Sequence, residues 1–306
     1  MRMAPRVGLN LTAEDGFRVA AMPLFEDGLV DAIEWDVDEI WLGGDETWRS
    51  IPAWADAILD AYAEDDALYG HAVWFSLLSA RPEARQARWL ALVAEECRRR
   101  RYRHVSEHFG WMTSDPFDRN TMFPCPLTDG AVAVGVDRLR AIAGATGRPV
   151  GLENSAIVLC AADATEQGAF LERLLAPVDG FLLLDVHNVW TAAHNLGLDA
   201  TALLRSFPLA RVRELHVSGG RWHDTTVEPE RGPVRLDSHD GGMPPGLMAL
   251  LRTALLECTR VEVVFHERRG DTLYEPARQE LWRNEFLAVR ALVDEVFASP
   301  AREVAP

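Results

Sequence analysis

Phe181 to Trp190 reads FLLLDVHNVW, and the fold turns on this stretch. Four apolar residues, Phe181 to Leu184, run directly into Asp185, with His187 and Asn188 just beyond. A short apolar run of this kind is the pattern of a buried strand, and here it stops at side chains that bind metals well. In a barrel of parallel strands the helices bury everything except the strand ends, so chemistry is built at those ends. The decisive question is whether other strands end the same way.

Working outward, the pattern repeats. Before it, RVGLNL (Arg6–Leu11), DAIEWD (Asp31–Asp36), the run Leu68–Trp74 with His71, HVSEH (His104–His108) and PVGLENS (Pro149–Ser155) read as strands. After it, VRELHV (Val212–Val217) and VEVVFHE (Val261–Glu267) do the same. Apolar residues at helical spacing predict helices near Phe17–Glu26, Ile51–Tyr62, Pro82–Arg101, Ala131–Ala145, Asp199–Phe207, Pro244–Leu256 and Glu275–Phe297. Another is expected over Thr165–Leu175, with Thr165 before Glu166 as its start signal. Strand-like and helix-like runs therefore alternate, and about eight strands is the number that closes a parallel barrel. The expectation is an α/β chain folded as a (β/α)8 TIM barrel, a single domain over residues 1–297 with a tail at 298–306. No glycine-rich phosphate motif follows the first strand, which disfavours a dinucleotide-binding open sheet. Phe109–Thr128, rich in proline and aromatic residues, is expected to be an active-site loop, and Ser218–Met243 a long polar one.

Composition narrows the function. The net charge is −16, which disfavours attraction to nucleic acid or to an anionic membrane surface. No run reaches transmembrane length and no signal peptide is legible. Four cysteines, Cys97, Cys125, Cys160 and Cys258, form no CxxC pair and point to a reducing, cytoplasmic setting. Cys97 and Cys258 are expected to pack in helices and Cys125, between two prolines, to be the exposed one. The basic run Arg98–Arg101 is expected to solvate the end of its helix.

Each polar strand end has a dull explanation when taken alone, as a paired carboxylate or a hydrogen-bonded core histidine. The coincidence is what changes the odds. Glu34, His71, Glu107 with His108, Glu153 with Asn154, Asp185 with His187, His216 and Glu267 stand at successive strand ends, and the seventh loop adds Asp237 and His239. A barrel gathers these into one ring, where so many buried carboxylates without cations would cost several kcal/mol per unpaired charge. Mixed His and carboxylate ligands with almost no Cys suit Fe, Mn, Zn or Co, and the ligand count exceeds what one ion needs. Two or three metals are the expectation. Trp35, Trp111, Trp190 and Trp222 lie near these ligands in sequence and are read as core or rim packing rather than as a pocket wall.

The ordered set EWD, HAVWFSLLS, VSEHFGW, LENS, LLLDVHNVW, ELHVSGG, LDSH and VVFHE resembles the multinuclear non-heme iron-dependent oxidative enzymes, which include the methanobactin biosynthesis oxidase. The resemblance runs from about Gly8 to Glu267 and implies a barrel related to the xylose-isomerase-like ones. It also implies that His71, His108, Glu153, Asp185, His216, Asp237, His239 and Glu267 bind iron, with Glu107 and Asn154 as further ligands or as groups that hold ligands. Where that family has Asn two residues after the Asp, this chain has His187, which would keep a metal ligand and bring it into the catalytic group with Asp185, Glu107 and Asn154. Two or three irons in mixed Fe(II)/Fe(III) states, O2 as co-substrate, a ribosomally made precursor peptide modified at cysteine, and a partner protein for peptide recognition complete the implication. The rival readings are a Mn or Zn barrel of the sugar isomerase or endonuclease IV kind and a non-catalytic metal- or peptide-binding barrel. Charge argues against the nuclease.

Overall fold

The computed structural model describes residues 3–38, 51–79, 84–114, 117–224 and 232–298. Eight strands close a barrel: β1 (Arg6–Leu11), β2 (Ala32–Asp36), β3 (Leu68–Ala72), β4 (Val105–His108), β7 (Val150–Glu153), β8 (Phe181–Asp185), β9 (Val212–Val217) and β12 (Val263–His266). All eight pairings are parallel, and β1 and β12 complete the ring. Parallel strands demand a crossover between neighbours, and helices supply it: α1 (Asp15–Glu26), α2 (Ala53–Glu64), α3 (Ala84–Arg99), α4 (Asp129–Thr146), α5 (Ala161–Leu175), α6 (Val186–Leu196), α7 (Ala200–Arg205), α8 (Leu247–Glu257) and α9 (Pro276–Ala298). The (β/α)8 expectation holds. The expected start of α3 at Pro82 and the tail after Ala298 lie outside the described residues.

Alternation along each strand separates two environments. Leu182 and Leu184 of β8 join the large apolar layer between strands and helices, whereas Phe181 points inward and lies 4.2 Å from the His104 ring. Ala32, Tyr69, Val263 and Phe265 form a small apolar cluster of their own at the barrel floor. Gly151 is required there, because a Cβ would run into the Phe181 ring. Beside this cluster, His104 and Glu214 pair at 2.7 Å, both fully buried, with the His104 ring 4.8 Å from that of Tyr69. The interior thus becomes more polar toward the strands' C-terminal ends.

Several local expectations are corrected. FLLLDVHNVW is strand only to Asp185; α6 starts at the next residue, because the Asp185 carboxylate accepts from the Asn188 amide as N-cap and Gly197 terminates the helix with a left-handed conformation. Helix α5 starts at Ala161 rather than Thr165, whose hydroxyl bonds back to Ala162. The loops after β4 and β9 each carry a two-stranded antiparallel ribbon, β5 (Trp111–Ser114) with β6 (Phe117–Phe123) and β10 (Trp222–His223) with β11 (Val234–Arg235). Cys125 is buried and Cys160 is the exposed thiol. Arg100 does not solvate a helix end but is buried against Asp60 and Glu96, tying α3 to α2. No described helix is long and apolar enough to cross a membrane.

Candidate metal centre

At the C-terminal ends of the strands, four groups of side chains each bring one ligand atom per residue within 4.8 Å of the others: His71–His108–Glu153, Glu34–His216–Glu267, Glu153–Asp185–His216 and Asp185–Asp237–His239. The barrel register explains them. On β2, β3, β4, β7, β8 and β9, the inward position at or near the strand end is Glu34, His71, His108, Glu153, Asp185 and His216, and Glu267 follows β12 directly. Glu153 Oε2 stands 3.1 Å from His108 Nε2 and 3.5 Å from His71 Nε2. His216 is held from two sides, by Glu34 through Nε2 and by Glu267 through Nδ1, both at 3.1 Å. Asp237 and His239, from the loop after β9, meet at 2.8 Å.

The groups around these ligands fix their directions. Ser106 Oγ lies 2.7 Å from His71 Nδ1, which aims Nε2 at Glu153. Asn188 donates to Glu153 at 3.1 Å, and its backbone amide bonds Asp185 at 2.8 Å. Asn10 reaches both Glu34 at 3.0 Å and Asp36 at 2.9 Å.

Three expected site residues are placed otherwise. His187 joins none of the four groups. Its Nε2 accepts from Arg235 Nε at 3.2 Å, and a guanidinium only donates, so Nδ1 carries the proton and turns to Ser218 Oγ at 3.0 Å and Asp237 Oδ1 at 3.3 Å. Both ring nitrogens are engaged by neighbouring side chains, and through Nδ1 His187 contacts Asp237. Asn154 uses its amide on the backbone of Asp185, accepting at 2.7 Å and donating at 3.1 Å. Glu107 faces away from the ring because strand alternation gives the inward positions of β4 to Ser106 and His108; its buried carboxyl is pushed well up by desolvation and by Asp38 nearby. In the other direction, Glu34 belongs to a ligand group although the resemblance does not mark it, and its signal is simply its place at a strand end.

Electrostatics test whether cations fit. Burial, and then Asp237, Glu153 and Glu267 close by, push the Asp185 carboxyl well above the usual carboxylate range. Glu34 is pushed up well by burial, against the pull of His216. Burial acts upward on Glu267 too, but His216 and His239 hold it at about 2. Burial opposes protonation of His216 and His239, yet Glu267 and Asp237 respectively push these imidazoles well up. Burial with His108 and His216 alongside pushes His71 well down. Asp185 Oδ2 and Glu267 Oε2 are buried without a hydrogen-bond partner. Carboxylates in conflict and lone pairs without donors are what bound divalent or trivalent cations relieve, and the all-N/O donor set fits iron, manganese, cobalt or zinc.

His71, His108, Glu153, Asp237, His239 and Glu267 line a cavity of about 870 Å³, with Glu34, Asp185 and His216 buried outside its lining. Its lining includes apolar side chains, Val73, Trp74, Phe109, Met112 and Met122, and three arginines, Arg235, Arg268 and Arg269. Of the four tryptophans singled out by sequence, none lines this cavity: Trp35 is buried in the outer layer, and Trp222 is half exposed against Trp190.

Comparison with known proteins agrees with this geometry. The chain is similar to a UPF0276 protein of Rhizobium meliloti, 29% identical over 227 residues covering 72% of each chain. A UPF0276 protein of Caulobacter vibrioides is 32% identical over 151 residues, 49% of this chain and 51% of that one. Among solved structures, a xylose isomerase domain protein from Planctomyces limnophilus superposes with TM-score 0.59 at 15% identity, over 97% of this chain and all (100%) of that one. Endonuclease IV from Thermus thermophilus does so with TM-score 0.52 at 18% identity, over 95% and 100%. At such identities these two likenesses establish the xylose-isomerase-like barrel and nothing about activity. The sequence model that does reach function covers residues 43–290, nearly all of the ligands, and by it the chain belongs to the family of the RiPP precursor modification enzyme MbnB/TglH/ChrH.

Proposed function

We propose that this RiPP precursor modification enzyme is a multinuclear non-heme iron oxidase that uses O2 to modify a cysteine of a ribosomally synthesised precursor peptide in the cytoplasm, with a partner protein that recognises the peptide. The observation that carries the multinuclear reading is the sharing of ligands: Glu153, Asp185 and His216 each belong to two of the four groups. Residues common to two groups would serve more than one ion, whereas a single-ion site needs only three or so protein ligands.

Bound iron would supply redox electrons and open coordination positions for a thiolate and O2. His71, His108, Glu34, Glu153, Asp185, His216, Asp237, His239 and Glu267 would hold it. The chain's own residues do the rest. Ser106, Asn188 and His187 fix the ligand directions. The apolar wall at Phe109, Met112 and Met122 keeps water from the reacting side chain.

Metal analysis after anaerobic purification tests the reading. About two or three irons per chain with a mixed-valence spectrum is the expected result; stoichiometric zinc without iron would overturn it in favour of an isomerase-like or hydrolytic barrel.

A further inference from the structure

Two arginines that line the cavity are buried without a carboxylate ion-pair partner among the described residues. Arg235 is 3% and Arg268 4% exposed, and both line the cavity. Neither has an ion pair among the described residues; Asp240 and Glu285 act on both from farther off, and Arg235 also lies over the Trp222 ring at 5.3 Å. Arg235 Nη2 donates to the Gly242 carbonyl at 2.8 Å and its Nε to His187; Arg268 Nη1 donates to the adjacent Gly241 carbonyl and its Nε to Thr272 Oγ1 at 3.0 Å. The same short glycine segment therefore braces both guanidinium groups, and most of their donors are left over. A buried cation costs several kcal/mol unless a counter-charge meets it. Surface arginines of this chain do find theirs, as Arg205 does with Glu257 and Arg252 with Glu295. The same cavity is lined by apolar side chains and by His71, His108, Glu153, Asp237, His239 and Glu267, so a substrate held there would meet apolar surface, fixed cations and the candidate ligands together.

We propose that Arg235 and Arg268 form a carboxylate-binding subsite that anchors the substrate peptide beside the metal centre. The proposal rests on the peptide-modifying reading above. The planar fork of a guanidinium takes a carboxylate bidentately, which fixes orientation as well as position. Arg235 is also the donor that holds His187 against Asp237, so the subsite and the Asp185–Asp237–His239 group are tied by one side chain. The carboxylate has two sources in a peptide, the C-terminus or an Asp or Glu side chain next to the modified residue.

Calorimetric titration of the metal-loaded protein with N-acetylglycine, N-acetylglycinamide and N-acetylaspartamide blocked at its main-chain carboxyl separates them. A probe carrying a carboxylate is expected to bind at least about tenfold tighter than the uncharged amide. Preference for N-acetylglycine assigns the C-terminus, and preference for the aspartyl probe assigns a side chain. Arg268→Gln, which touches no ligand contact, is expected to weaken the preference, Arg235→Gln to remove it and Arg235→Lys to keep part of it. Equal binding of acid and amide overturns the subsite. So does a preference that survives Arg235→Gln and Arg268→Gln together, because the carboxylate would then sit on the metal. The probes carry no thiol and no oxidation is read, so failure of the oxidase reading leaves this result standing, and the reverse also holds.

Discussion

His187 shows how one residue's role is decided by its neighbours. An imidazole two residues after Asp185 offers two nitrogens of ligand quality, and in sequence it is indistinguishable from a ligand. Arg235 donates to Nε2, which leaves Nδ1 as a donor toward Asp237 and Ser218. Burial, opposed by Asp237, also keeps this imidazole below its ordinary pKa, consistent with a neutral ring. Asp185, by contrast, is shared by two ligand groups. Asp185→Ala is therefore expected to lose most of its bound metal, while His187→Ala retains most of it and loses rigidity at Asp237. Elemental analysis of both purified variants checks this, and equal loss would return His187 to the ligands. Glu107 carries the same lesson from the other direction: the tripeptide Ser106–Glu107–His108 contains two residues that face the barrel interior and one that faces the helices, and only strand alternation tells them apart.

At the level of elements, the junction between β8 and α6 joins architecture to chemistry. The strand's last residue is the helix's N-cap, so no loop intervenes and the Asp185 carboxylate is held by Asn188. Asn is as good an N-cap as Asp, and Ala is a poor one. In metal-free protein, Asp185→Ala is expected to cost about 1 kcal/mol more than Asp185→Asn in a denaturant titration. Equal stabilities would mean that the cap contributes nothing. The helix itself escapes a sequence reading because the polar residues His187 and Asn188 look like a loop after a strand, although Asp185 and Gly197 stand where a helix's cap residues belong. The β10–β11 ribbon reads as a loop for a different reason: two-residue strands carry too little period for a pattern to register.

For the whole molecule, the centre is a set of buried charges that the barrel holds together before any cation neutralises them. Burial keeps Asp185 and Glu34 above their ordinary pKa, which is a cost to the metal-free fold. Metal that binds the folded chain and not the unfolded one adds stability, about 4 kcal/mol at a free concentration near a thousand times Kd. Chelation is therefore expected to lower the melting temperature markedly, and adding Fe(II) back under anaerobic conditions to restore it. A melting temperature indifferent to chelation would contradict a metal centre built into the strand ends.

The eight-strand barrel and the gathering of His, Asp and Glu side chains at its strand ends are legible in the sequence, because apolar runs that end in such residues report both the strand and its mouth without reference to any other part of the chain. What each polar residue does once there is not. Whether His187, Asn154 and Glu107 ligate, clamp a backbone or turn away depends on Arg235, on the Asp185 main chain and on the face of β4, partners that lie tens of residues apart or on the other side of a pleat. Sequence records which groups are available, while hydrogen-bond direction and side-chain facing are set only when the barrel closes and each lone pair meets its nearest donor.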